Sequence, residues 1–436
     1  MSVKTFPLTK ARLEELADQY PTPFYIYDEE AIRQNVMAMR RAFSIFPSYK
    51  EHFAVKALPN PFILKILAGL GLGADCSSYA ELLLAKMAGI TGEDIMFSSN
   101  ETPEREYRLA DELGAVINLD DFTHIEFLER CLGRIPALIS CRYNPGPLKE
   151  GNAIIGKPEE AKYGFTGEQI IRGFALLRDK GARRFALHTM VASNELSLDY
   201  HVQTARMLFE LAVEIREKTG VRVEWVNLGG GVGIPYRPDQ EALSWDALAA
   251  GIRAAYDDII VPAGLDPLGI HTEYGRPITG PYGWLVARAL HRKRIYREYI
   301  GLDASMADLM RPALYGAYHH ISIPGKEDAP LTEMYDVVGS LCENNDKFAV
   351  QRRLPWIETA AETGRGDFVV IHDAGAHGRA MGFNYNGKLR CGELLLRPDG
   401  SVIRIRRSET EDDYFATLDA RALQEFHSEG DEYVAP

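Results

Sequence analysis

Cysteine is scarce in this chain, and long apolar runs are missing. The five cysteines, Cys76, Cys131, Cys141, Cys342 and Cys391, are odd in number and scattered over 436 residues. Their spacing matches neither a zinc ligand set nor a disulfide framework, so no metal site is expected. No apolar stretch reaches the roughly 20 residues that a membrane-spanning helix needs. Met1-Ser2-Val3-Lys4-Thr5 lacks the apolar core of a signal peptide, and the chain reads as cytoplasmic. Positive charge is also in deficit, with 49 Lys and Arg against 62 Asp and Glu and a net charge of -13. That balance excludes the broad basic face of a nucleic-acid binder but leaves room for a local basic pocket. Low-complexity segments and sequence repeats are absent as well.

What is present is an ordinary globular composition, 46% hydrophobic and 25% charged. The length suits two or three domains, or one large barrel with a smaller partner. Short apolar, β-branched runs recur at Phe53–Ala57, Gly73–Ser78, Ile95–Ser99, Ala115–Leu119, Ala137–Asn144, Arg184–Met190, Trp225–Gly231 and Ile270–Arg276. Between them lie helical stripes, such as Leu82, Leu83, Leu84, Met87 and Ala88, or Met207, Leu208, Leu211, Ala212 and Ile215. Eight strand-like runs alternating with helices predict a parallel (β/α)8 barrel of the TIM type, with a doubly wound sheet as the rival. Beyond Arg276 the runs Trp284–Arg288, Tyr335–Ser340, Phe368–His372 and Ser401–Arg406 suit an antiparallel β-barrel or sandwich domain. The segment Thr22–Tyr27 looks like a strand that joins this second domain. The division expected is a barrel over 30–280 and a β domain built from 1–29 and 281–436.

Polar residues gather at the C-terminal ends of the predicted barrel strands: Lys56, Asp75 with Ser77, Ser98, Asn118, Arg142, His188, Gly229-Gly230-Gly231, and Glu273 with Arg276. Barrel enzymes build their sites at that face, whereas residues with only structural duties would scatter between both ends. Lys56 could form a Schiff base with an aldehyde cofactor, or it could be a snorkelling surface lysine. Gly229 to Gly231 could cradle a phosphate with bare backbone N–H groups, or simply make a tight turn. A buried Glu273 could hold a pyridine nitrogen protonated, or pair locally with Arg276. His188 could stack on a cofactor ring or serve the fold. In the β domain, a thiol beside a carboxylate at Cys342-Glu343 suits proton donation, while an isolated cysteine more often packs. Arg311 and Tyr315, in Arg311-Pro312-Ala313-Leu314-Tyr315, could grip a second carboxylate, or Arg311 could pair at the surface.

Taken together these segments resemble the pyridoxal-phosphate decarboxylases of the alanine racemase and ornithine decarboxylase fold type, and among them the diaminopimelate decarboxylases. The resemblance runs from Thr22-Pro23-Phe24-Tyr25 to Glu393-Leu394-Leu395-Leu396, and includes Asp75-Cys76-Ser77-Ser78-Tyr79-Ala80-Glu81-Leu82 and Lys162-Tyr163-Gly164. It implies pyridoxal 5′-phosphate as cofactor, attached to Lys56. It also implies Glu273 at the ring nitrogen, His188 stacked on the ring, the phosphate on Gly229, Gly230 and Gly231, and Asp75, Arg276 and His377 beside the cofactor. Arg276, Arg311, Tyr315 and Glu343 would bind substrate. Cys342, with Glu343, would come from the second subunit of a homodimer with shared active sites. The implied reaction is decarboxylation of meso-2,6-diaminopimelate at its D-centre to L-lysine and CO2. The rival is a related substrate, such as carboxynorspermidine or another D- or basic amino acid; neither nucleic acid nor membrane is an expected partner.

Three positions depart from the family pattern. His188 is followed by Thr189, Met190 and Val191 where the family shows His-x-Gly-Ser, whose serine helps hold the phosphate. Glu-Pro-Gly-Arg is here Glu273-Tyr274-Gly275-Arg276, and the tyrosine expected after Asp373-Ala374-Gly375-Ala376 is His377.

Overall fold

A computed structural model describes residues 4–149 and 156–426. The outermost residues of the β-domain assignment, 1–3 and 427–436, lie outside the described residues. Strand β1 (Phe24–Asp28) comes first and belongs to the second sheet. The next eight strands are β2 (Tyr49–Ala54), β3 (Gly73–Cys76), β4 (Ile95–Phe97), β5 (Val116–Leu119), β6 (Leu138–Tyr143), β7 (Arg184–Thr189), β8 (Trp225–Asn227) and β9 (Gly269–Thr272). They pair in parallel in chain order, and β9 closes on β2 through Tyr49 opposite Ile270. The closed barrel removes the doubly wound alternative.

Strands buried on both faces read as continuous apolar runs, and six of the eight strands fall inside the runs read from sequence, while β9 starts one residue before its run, at Gly269. The first begins four residues early, at Tyr49 rather than Phe53, because its opening half carries the buried polar residues Glu51 and His52. Lys56 therefore sits not on the strand but in the 3-10 turn Val55–Ala57 that follows it. The helical stripes fare unequally. Helix Leu198–Thr219 buries Leu208, Leu211, Ala212 and Ile215, whereas helix Tyr79–Met87 buries only Leu82 and Ala85. Leu83 and Met87, four apart, share its outer face and are exposed.

The lower end of the barrel holds an unusual histidine pair. His52 Nε2 lies 3.1 Å from His271 Nδ1, and Trp225 stacks flat on His271 at 4.0 Å. Burial pushes His52 down to about 4, with Lys50 adding to the effect and Glu273 opposing it. Its stability contribution is complete above the unfolded value near 6.5 and is lost as pH falls from there toward 4. His52→Gln should accordingly shrink the wild type's stability lead over the variant by ~1.4 kcal/mol per pH unit below pH 6.5, read as the difference between two denaturation series.

After the barrel come β10 (Gly283–Arg294), β11 (Glu298–Leu302), β12 (Ile321–Ser322), β13 (Glu333–Val338), β14 (Lys347–Leu354), β15 (Phe368–Ile371), β16 (Gly392–Leu396) and β17 (Val402–Arg406). Their sheet runs β14-β13-β11-β10-β1-β16-β17, and β15 joins β10 to β12. β1 lies between β10 and β16, so the N-terminal strand does belong to the C-terminal sheet. Most pairs are antiparallel, but β1–β16 and β11–β13 are parallel, which makes the sheet mixed. This domain reaches the mouth of the barrel, where the His377 N–H donates to the Ala57 carbonyl at 2.8 Å.

Candidate active site

A cavity of about 300 Å³ opens at the C-terminal mouth of the barrel. Its walls bring together Lys56, Asp75, Ser77, Ser98, Arg142, His188, Gly230, Gly231, Glu273 and Arg276 from the barrel, and His377 from the β domain. Asn118 stands one layer below, donating to Ser98 Oγ at 3.0 Å. Gly229 also lies beneath the wall. The structure does not bring Cys342, Glu343 or Tyr315 into this cavity. Cys342 is exposed, Tyr315 is 48% exposed, and Arg311 lies buried behind the wall.

Lys56 projects from its turn while its neighbours Val55 and Ala57 are fully buried, so a fixed backbone carries a free amine into the cavity. Opposite lies Glu273, whose two oxygens are both engaged. Asn227 Nδ2 donates to Oε1 at 2.7 Å, and His188 Nε2 lies 2.9 Å from Oε2. A carboxylate can only accept, so Nε2 carries the proton and His188 Nδ1 is left buried without a partner. Burial opposes the charge on Glu273, yet the charge and hydrogen bond of His188, with His52 and Lys56 behind, outweigh it and hold the carboxyl below its usual range. Asp75 goes the other way. Burial first, then Glu273, push its carboxyl well up against the pull of Lys56, and its Oδ1 is buried without a partner.

The glycine loop is open because it must be. Gly229 and Gly231 have φ of +67 and +99, a region that favours glycine. A Cβ at Gly230 would sit 2.5 Å from the Glu273 carbonyl oxygen, and one at Gly231 2.7 Å from that of Ala192. Asn227 Oδ1 holds the turn by accepting the Gly229 N–H at 2.9 Å. Where the family serine would stand, Val191 is buried outside the cavity lining, and Met190 Sδ accepts the Gly230 N–H at 3.3 Å. Ser193 and Asn194 enter the cavity in the same loop.

Pyridoxal 5′-phosphate asks for an amine, a carboxylate for its ring nitrogen and donors for its phosphate. Lys56, Glu273, and the glycine loop with Arg276 meet these needs. The unpartnered Asp75 Oδ1 and His188 Nδ1 are further polar atoms on residues of the cavity wall that the protein itself leaves unsatisfied. The residues fit the group. His377, at the tyrosine position, is partly exposed in the cavity with φ +54. Its imidazole is held well below 6.5 by burial and then by Arg276, Lys56 and Arg311.

Three residues escaped the sequence reading as functional candidates. Asn227 opens the glycine motif and could have been found as the only polar strand residue there. Tyr236 and His319 carried no local signal. Tyr236 Oη accepts from Arg276 Nη1 at 2.7 Å, and its ring lies 4.4 Å from the Arg311 guanidinium.

Comparison with known proteins matches residues 29–280 to the pyridoxal binding domain of the pyridoxal-dependent decarboxylases. Protein TabA of Pseudomonas amygdali pv. tabaci is 42% identical over 424 residues, 97% of this chain and 96% of that protein. A diaminopimelate decarboxylase of Methanothermobacter thermautotrophicus is 34% identical over 402 residues, 92% of each chain. Among solved structures, diaminopimelate decarboxylase from M. jannaschii in complex with L-lysine superposes with a TM-score of 0.84, at 29% identity and 93% coverage of both chains. The Helicobacter pylori enzyme complexed with L-lysine gives 0.82 at 30% identity, covering 95% of this chain and 99% of that one.

Proposed function

This chain belongs to the pyridoxal-dependent decarboxylases, and we propose that within that family it converts meso-2,6-diaminopimelate, at its D-centre, to L-lysine and CO2. It is an amino-acid carboxy-lyase and its cofactor is pyridoxal 5′-phosphate. When bound, the cofactor supplies an aldehyde for amine attachment and a ring that accepts the electron pair left by departing CO2. Lys56 would offer the attaching amine. Glu273, ionised between His188 and Asn227, favours a protonated nitrogen opposite it. His188 would face the ring, Asp75 and His377 would border it, and the glycine loop with Arg276 would hold the phosphate.

One observation carries the choice of substrate. Arg276 and Arg311 are 8% and 3% exposed, and neither pairs with a carboxylate among the described residues. Asp373, the acid whose charge bears on Arg311, is already bound to Lys4 at 2.8 Å. With Arg276 given to the phosphate, Arg311 remains a desolvated cation without a counter-ion, which suits a substrate that brings a second carboxylate. Tyr315, on the short helix that starts at Arg311, would join the grip on the distal carboxylate. Cys342 and Glu343, outside the cavity of their own chain, would enter the site of a second copy in a homodimer, where the thiol returns a proton to carbon and Glu343 meets the distal amine.

A related substrate is the second reading. Met190 and His377 alter the cavity itself, and the 42% relative bears a name that states no reaction. Carboxynorspermidine or another D- or basic amino acid would then replace diaminopimelate. CO2 release from meso-, LL- and DD-diaminopimelate, L- and D-lysine and L- and D-ornithine separates the two. Release from the meso isomer alone is the expected result; a loaded enzyme inert toward it moves the function to the second reading.

A further inference from the structure

Arg311 is held from two sides by uncharged groups. Its Nη1 donates to His319 Nε2 at 2.9 Å, and the Tyr236 ring lies against its guanidinium plane. His319 is fully buried, and its Nδ1 lies 2.8 Å from the His372 carbonyl oxygen. A carbonyl can only accept, so Nδ1 carries the proton and Nε2 must be the lone pair that meets Arg311. The imidazole is therefore neutral, locked in one tautomer by backbone. Burial and the neighbouring Arg311 agree with that, pushing His319 down to about 3.

The choice of a neutral acceptor has a consequence. A buried guanidinium in this fold can be matched to an acid, as Arg142 is, 3.5 Å from Asp120. A carboxylate at position 319 would satisfy Arg311 fully and leave it nothing to offer. An imidazole aims one N–H, leaves the rest of the fork free, and keeps the positive charge unneutralised. Tyr236 extends the device, since its hydroxyl accepts from Arg276 while its face supports Arg311, and the ring of His319 meets it edge-on at 5.1 Å.

We propose that His319 is the positioning residue of Arg311, a neutral, tautomer-locked acceptor that aims the guanidinium and keeps its charge available for the distal carboxylate of the substrate. This rests on the reading of Arg311 as the carboxylate grip. The test compares wild-type holoenzyme with His319→Ala, His319→Gln, His319→Glu and Arg311→Ala, measuring KM and kcat for meso-diaminopimelate, inhibition by D-lysine, which lacks the distal carboxylate, and cofactor content per subunit.

His319→Ala should raise KM for diaminopimelate at least ~10-fold while kcat changes less than ~3-fold, the signature of lost ground-state binding. Cofactor content and inhibition by D-lysine should stay as in wild type. His319→Gln, whose amide oxygen can accept from Arg311, should restore most of the loss. His319→Glu should raise KM like alanine despite holding Arg311 more firmly, because the charge is then spent inside the protein. Calorimetric titration with pimelate, a dicarboxylate without amines, should follow the same order. If Arg311→Ala raises KM but His319→Ala does not, the positioning role is wrong and the substrate reading stands. If Arg311→Ala leaves KM unchanged, the substrate reading itself fails. Should the alanine variant not fold, His319→Glu decides: a folded, loaded enzyme with wild-type KM overturns the proposal.

Discussion

Lys56→Ala abolishes turnover, with an expected fall of at least ~10⁴-fold in kcat, because no other primary amine among the described residues lines the cavity. Arg142 and Arg276 are the remaining cations there, and a guanidinium is neither a nucleophile nor able to give up its proton near neutral pH. Lys56→Arg should consequently rescue nothing. The turn that carries Lys56 is fixed by its buried neighbours Val55 and Ala57, so the substitution removes an amine without loosening the wall. Cofactor should still bind through the glycine loop and Arg276, but reversibly. Borohydride followed by peptide mass analysis makes the distinction: wild type should keep the cofactor's mass on the Lys56 peptide, and the variant should keep it nowhere. Wild-type-like CO2 release by Lys56→Ala would remove the chemical scheme altogether.

How far such a scheme is legible before folding depends on which residues carry it. Lys56, Asp75, His188 and Glu273 each end, or closely follow, a barrel strand, and the alternation of apolar run and polar terminus marks them in the chain. The same alternation misplaces the start of β2, where Glu51 is buried with a hydrogen bond from Thr272 and His52 packs on His271. Buried polar pairs are satisfied only in three dimensions, so an apolar pattern starts the strand too late. In the β domain, strand β14 carries Lys347, Gln351, Arg352 and Arg353 at the edge of the sheet, where charge protects against pairing but hides the strand from a hydrophobic reading. Tyr236 and His319 were invisible for a deeper reason. One follows the glycine loop and the other precedes β12, and they acquire meaning only where both meet Arg311.

Glu273→Gln should separate binding from chemistry. An amide keeps the shape of the carboxylate but cannot bear the negative charge that favours a protonated ring nitrogen, so the expected loss is ~10³-fold in kcat with cofactor content intact. The surroundings can tolerate the change. Asn227 Nδ2 needs an acceptor and can keep the amide oxygen, which turns the new NH2 toward His188 Nε2. That contact is repulsive while Nε2 carries a proton, but Nδ1 has no partner in the structure, so moving the proton to Nδ1 frees Nε2 to accept. The fold is preserved by a change of tautomer, and what is lost is charge alone. The unfolding midpoint should move by only a few degrees while kcat collapses. A variant retaining more than about a tenth of the wild-type rate, where a factor of ten corresponds to ~1.4 kcal/mol, would show that the electron pair is stabilised elsewhere and that Glu273 serves the barrel instead.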